Sequence, residues 1–352
     1  MEKETRNKIK DVVLKSRKLL EVDIAQQLEG YYGLRADGRH LDVKRLTHLT
    51  YRERQKREAL LAAIDKGKKS GHPRTPDSYR FYIKEAAFTY LNRLAALRCL
   101  EVRGLIAESL IRREGYSNLP QGLFDLNEVC GEVCQAQADG GYARYLKLMF
   151  DEVGEEIKIL FNTEDEYSLL FPSPTCLAEL VRLLTEDIPE DAWAENEIIG
   201  WIYQYFNIEE KEKVRRAGRP KTPDNVAVIN QFYTPAWIVR FLVQNTLGRL
   251  WLEMKPDSPL SDELDYLVLR KDEEFPERPK KEPTEIRLLD PAVGSGHFLL
   301  YAFDLFARIY EEEGYPYEEI PNLILEHNLY GIDIDLRATQ LAQLALYLKA
   351  KS

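Results

Sequence analysis

Residues 286–299 read Ile286-Arg287-Leu288-Leu289-Asp290-Pro291-Ala292-Val293-Gly294-Ser295-Gly296-His297-Phe298-Leu299, an order of residue types that can hold a nucleotide-like ligand. A short apolar run ends in an acid and a Gly-x-Gly turn follows. Leu299, Leu300, Phe303 and Leu305 then recur at helical spacing. The pattern is strand, turn, helix. Its glycines allow the backbone to approach a ligand closely, and the first N–H groups of the helix behind them lack intrahelical partners. The acid at the strand end distinguishes it from a tight turn that serves only the path of the chain.

A dinucleotide fingerprint requires a third Gly or Ala three residues after the second glycine, where this sequence has Leu299. It also requires an acid about 20 residues on, at a strand end. Glu318 and Glu319 stand near that distance but in a Pro-bordered loop. A nicotinamide-dependent oxidoreductase is therefore disfavoured. The next strand pattern is Asn328-Leu329-Tyr330-Gly331-Ile332-Asp333-Ile334-Asp335. Parallel strands joined by a helical crossover end side by side, so Asp333 would reach the same crevice as Asp290, able to accept both hydroxyls of a ribose. Asp335 reads as the cap of a helix beginning near Arg337.

In this context, Asp290-Pro291-Ala292-Val293-Gly294-Ser295-Gly296-His297-Phe298 resembles the first motif of S-adenosylmethionine-dependent amino-methyltransferases of DNA, in the form typical of the adenine-N6 class. Asn230-Gln231-Phe232-Tyr233-Thr234-Pro235 resembles the motif that precedes it in the γ arrangement of that class. The resemblance implies S-adenosyl-L-methionine as cofactor, lined by Asp290, Ala292, Gly294 and Gly296. It further implies Asp333 on the ribose, Tyr233 and Thr234 over the methionine part, and Pro235 at the first position of a helix. Residues 86–98, 200–206 and 234–251 resemble segments of PglX, the methyltransferase of BREX phage-defence systems. Type I modification subunits and fused type II enzymes share the cofactor motifs.

The catalytic motif of that family, Asn/Asp-Pro-Pro-Tyr/Phe, occurs nowhere in the 352 residues. In the family its first side chain and a backbone carbonyl accept hydrogen bonds from the target amine, and its aromatic stacks on the flipped base. The expectation is the N-terminal part of a site-specific DNA adenine-N6 methyltransferase of a phage-defence or restriction–modification system. Such a chain would carry no catalytic residue and be inactive alone. Residues from about 285 onward would stay loose, and hold cofactor poorly, until a C-terminal chain completed the sheet. A non-catalytic DNA-binding or regulatory subunit is the other reading. No nuclease signature is evident.

The elements that must position these motifs point to an α/β fold. A mostly α-helical N-terminal domain is expected over residues 1–225. The beginning of a Rossmann-like methyltransferase domain, with an incomplete parallel sheet, is expected over 226–352. Helical spacing ends at Gly30 in a first helix and predicts others over about 41–64, 79–102, 126–136, 143–152, 176–185 and 235–251. Residues 211–222, KEKVRRAGRPKT, read as a basic linker, and the proline-rich 255–286 as a loop or inserted segment. Trp201, Tyr203, Tyr205 and Phe206 read as core.

Charge divides the chain unevenly. Residues 1–114 carry 26 Lys+Arg against 16 Asp+Glu, and the remainder 23 against 43. A basic half suits a polyanionic partner, here double-stranded DNA. The contact candidates are Lys66, Lys68, Lys69 and Arg74 in one segment, and Arg215, Arg216, Arg219 and Lys221 in the linker. Cys99, Cys130, Cys134 and Cys176 share no metal-ligand spacing with the five histidines and read as reduced, mostly buried thiols of a cytoplasmic protein. No apolar run is long enough to span a membrane, and no metal site is expected.

Overall fold

The computed structural model describes residues 1–69, 75–135, 139–218, 223–231, 234–268, 276 and 278–351. It divides into two compact units, Met1–Ile229 and Asn230–Ser352.

The first unit is helical. Its centre is α3 (Thr75–Val102), onto which α1 (Lys3–Gln26) and α2 (Tyr51–Lys69) pack. Around them stand α4 (Tyr142–Glu156), α5 (Pro174–Glu186), α6 (Ile198–Phe206) and α7 (Ile208–Arg216), with shorter helices between. Most helices of a globular protein bury one stripe. α3 is instead buried nearly all round from Ser78 to Glu101. Such burial takes Arg93 and Arg98 out of water, and both meet internal partners. Arg93 donates to the carbonyls of Leu160 and Asn162, both at 2.8 Å, and pairs with Asp165 at 3.2 Å. Arg98 pairs with Glu101 at 3.3 Å and Glu190 at 3.4 Å. The aromatic residues of α6 are core, with Phe206 edge-on to Phe88 at 4.9 Å.

Two sequence expectations are corrected here. The helix expected over 41–64 begins only at Tyr51, after a short 3-10 turn at Val43–Arg45. Thr50 and Glu53 form a reciprocal cap: the Glu53 carboxylate accepts from Thr50 N–H at 2.7 Å, and Thr50 Oγ1 accepts from Glu53 N–H at 3.3 Å. The expected linker is helical through Arg216, because α7 sets Glu209 and Glu210 at its start and Lys213, Arg215 and Arg216 at its end, matching the helix dipole. Cys99 and Cys176 are buried and Cys130 is exposed; burial pushes both buried thiols up to about 12, keeping them neutral.

The second unit holds the sheet. Strands β1 (Leu288–Asp290) and β2 (Leu329–Gly331) pair in parallel, with Leu288 opposite Leu329 and Asp290 opposite Gly331. They are joined through α9 (His297–Glu312), and α10 (Leu336–Ala350) follows β2. α8 (Ala236–Val243) and the turns after it pack on α9, burying Trp251, Phe306, Ile309 and Tyr310. The charged segment after Met254 is fastened to this core: Lys255 pairs with Glu312 at 2.8 Å and Glu313 at 2.9 Å, and Arg278 with Glu253. It is more than a loop, because Leu260, Leu264 and Ile286 in it are buried.

Alternation splits the sheet residues. Leu288 and Leu329 turn toward the helical core, while Leu289, at 55% exposure, and Tyr330 lie on the other face, where the Arg287 guanidinium sits 5.9 Å from the Tyr330 ring. Ile332, Ile334 and Leu336 are exposed beyond them. A parallel sheet ordinarily has both faces covered. Cavities of about 490 Å³ beside β1 and about 370 Å³ beside β2 flank it.

Candidate cofactor site

β1 ends at Asp290, and the chain turns through Pro291 and Ala292 to Gly294 at φ +54° and Gly296 at φ +87°. Side chains with a Cβ rarely adopt such left-handed values. The surroundings of the two glycines differ. A Cβ on Gly294 would meet nothing within 4 Å, whereas one on Gly296 would lie 3.2 Å from both Cα and Cβ of Ala342 on α10. Gly294 therefore borders open space, and Gly296 brings α9 against α10. A third glycine shapes the same end of the sheet. Gly331, at the end of β2, leaves room for Val293, whose Cγ2 a Cβ there would approach to 2.8 Å.

Two carboxylates meet at this end of the sheet. Asp333 accepts from Gly294 N–H at 2.8 Å through Oδ2 and from Asp335 N–H at 2.8 Å through Oδ1, fastening the glycine turn to the segment after β2. Two backbone bonds continue the join, from Ile332 N–H to Asp290 and from Val293 N–H to Ile332, each 2.9 Å. Asp290 accepts from Ala292 N–H at 3.0 Å through Oδ1, but its Oδ2 is buried and, among the described residues, has no hydrogen-bond partner. Burial, and secondarily the Asp333 carboxylate, push the Asp290 carboxyl above the usual aspartate range. A buried acceptor left unpaired is costly, on the order of 1–3 kcal/mol. A ligand that donates a hydrogen bond there removes the cost.

Asp335 caps α10, accepting from Arg337 N–H at 3.0 Å, and also receives the Arg337 guanidinium in two bonds of 2.8 Å. Gln231 donates to Asp335 Oδ2 at 3.3 Å, which sets Gln231 beside the loop that carries Asp333. Asp290, Ala292, Gly294, Gly296 and Asp333 thus come together around one turn. Thr234 is half-buried nearby in sequence to that tie, and Tyr233 lies outside the described residues. Pro235 is the N-cap residue of α8 rather than its first helical residue, because its ψ of 140° is extended. Among the described residues no group of His, Cys, Asp and Glu is arranged to hold a metal ion.

Of the expected DNA contacts, Lys66 pairs with Glu166 and Arg216 with Glu212 at 3.6 Å, and Arg215 lies on α7. Lys68 and Lys69 end α2, but their side chains, like all of Arg74, Arg219 and Lys221, lie outside the described residues.

The profile of the MmeI DNA-methyltransferase domain matches residues 276–351, from just before β1 to the end of α10. The chain is 34% identical to the adenine-specific methyltransferase BrxX of Escherichia coli O9:H4 (strain HS), over 78% of its own length and 25% of BrxX. It is 31% identical to the adenine-specific methyltransferase PglX of Lacticaseibacillus casei (strain Zhang), over 78% of its length and 26% of PglX. Over most of its own length the chain is thus similar to proteins named as adenine-specific methyltransferases. A putative type II restriction enzyme and methyltransferase of Methanocaldococcus jannaschii is 26% identical over the same share of the chain and 25% of its own. The chain spans about a quarter of the length of the curated relatives it matches. A match over 78% of the chain exceeds what residues 230–352 can supply, so the likeness includes the helical unit.

Proposed function

We propose that the turn between β1 and α9 binds S-adenosyl-L-methionine, and that the chain supplies the cofactor-binding part of a Rossmann-like, site-specific DNA adenine-N6 methyltransferase of a BREX-type phage-defence system. The observation that carries this reading is the buried Oδ2 of Asp290, unpartnered among the described residues, beside a glycine turn that borders open space. Asp290, Ala292, Gly294 and Asp333 would hold the cofactor, Gly296 would set the turn against α10, and Thr234 and Tyr233 would cover the methionine part. Bound there, the cofactor supplies an electrophilic methyl group for the exocyclic amine of adenine. The residues of this chain bind and orient it; Asp333 keeps the turn in its ligand-ready shape through Gly294 N–H. The Asn/Asp-Pro-Pro-Tyr/Phe motif that would hold the amine is not among these 352 residues, so transfer to duplex DNA requires a segment that supplies it. A protein that marks host DNA in this way works in the cytoplasm.

Titration calorimetry with S-adenosylmethionine tests the assignment. Asp333→Ala should lose one or two charge-assisted hydrogen bonds, about 1.5–3 kcal/mol each, and Asp290→Ala should remove measurable binding. Affinity unchanged in both variants would overturn the site.

A further inference from the structure

We propose that Arg52, Lys56 and Lys147 form a binding site for the phosphate backbone of duplex DNA on the helical unit. The proposal rests on the DNA-directed reading above and deepens it. Arg52 and Lys56 stand one turn apart on α2, and Lys147 lies on α4. The Lys56 amine sits 5.9 Å from the ring centroid of Tyr32, and the Lys147 amine 4.7 Å from that of Phe171. Both rings are anchored on one residue. The Gln27 carbonyl accepts from Tyr32 N–H at 3.1 Å, and the Gln27 side-chain amide donates to the Phe171 carbonyl at 3.0 Å. Two amines from helices distant in sequence are thereby held over one patch.

The acids nearest this patch are committed elsewhere. Glu53 is bonded to the Tyr31 hydroxyl and to Thr50, and Asp139 accepts from the N–H groups of Gly141 and Ala143 at 3.1 and 2.8 Å. Among the described residues, none of the three cations is in an ion pair. Desolvation, followed by the charges of Lys147 and Arg52, lowers the Lys56 pKa, with Glu53 opposing; desolvation and Arg52 lower that of Lys147, with Asp139 opposing. Like charges one turn apart also weaken a helix. Three cations whose repulsion Glu53 and Asp139 offset only in part are eased by an anion. The basic balance of residues 1–114 favours a polyanion over a free phosphate.

The test is fluorescence anisotropy of a labelled random-sequence DNA duplex with the 352-residue chain, across about 50 to 200 mM salt. The triple variant Arg52→Ala/Lys56→Ala/Lys147→Ala should bind at least about tenfold more weakly at the low-salt end. Its log–log salt slope should be shallower by about 3, one counterion per lost phosphate contact. Lys147→Glu alone, a change at an exposed position, should move both readings the same way. Replacing Lys3, Lys15 and Lys18 on α1 should leave them in place. Because mutual repulsion is removed, the triple variant should melt no lower than the parent. Inorganic phosphate at constant ionic strength should not compete. Unchanged affinity and slope in a folded variant would overturn the site while leaving DNA binding intact, and competition by inorganic phosphate would show a small-anion site instead. Failure of the parent chain to bind duplex at low salt would overturn the DNA reading and the site with it.

Discussion

Gly294→Val should abolish S-adenosylmethionine binding and leave the fold standing, whereas Gly296→Val should damage the fold. The two glycines share a left-handed backbone but not their surroundings. A side chain at 294 enters open space, so the penalty is the conformational one, about 1–2 kcal/mol and somewhat more for a branched residue. In the proposed site that space is where the ligand would meet backbone, and a branched side chain fills it. At 296 the same strain is joined by collision with the α10 backbone at Ala342, an overpacking cost of roughly 1–3 kcal/mol more. Saturation-transfer NMR reads binding, and thermal melting reads the fold. Retained binding in a folded Gly294→Val chain, or equal destabilisation of both variants, would show that the turn is a structural one.

The second large effect is an absence of chemistry in spite of the proposed cofactor site. Incubated with tritiated S-adenosylmethionine and adenine-containing duplex DNA, the 352 residues should transfer no label above background. A flipped adenine needs an acceptor for its amine hydrogens and an aromatic surface for its ring, and the family supplies both in one motif that this sequence does not contain. A polypeptide that brings the motif and the neighbouring strands should restore transfer and cover Leu289, Tyr330 and Ile332, exposed on the open face of the sheet. Methyl transfer by these residues alone would mean that a different group holds the base.

What the sequence shows well is local. Asp335 caps α10 as its position before a helical run suggests, and the strand, turn and helix around Gly294 follow from residues within fourteen positions of one another. The start of α2 was equally local and still missed: Thr50 and Glu53 carry the Thr-x-x-Glu capping pattern, which outweighs the apolar spacing that begins ten residues earlier. Other features depend on partners far along the chain. Arg93 and Arg98 on α3 are buried, and besides the neighbouring Glu101 it is the segment at 160–165 and Glu190 that make their burial tolerable. The role of Gly331 depends on Val293, thirty-eight residues earlier. The π-turns at Gln27–Tyr31, Gln244–Gly248 and Ile324–Asn328 have no composition that marks them in advance. In the cofactor site the residue types were legible; the unpartnered oxygen of Asp290 and the unequal surroundings of the two glycines were geometric.

The central claim, that the β1–α9 turn holds S-adenosylmethionine, is tested most directly by hydrogen exchange on this chain with and without a saturating concentration of the cofactor. The account predicts added protection confined to residues 288–296 and 329–335, where Asp290, Gly294 and Asp333 meet, with residues 80–206 already protected and unchanged. Protection that is absent at saturation, or that appears only in the helical unit, would contradict it.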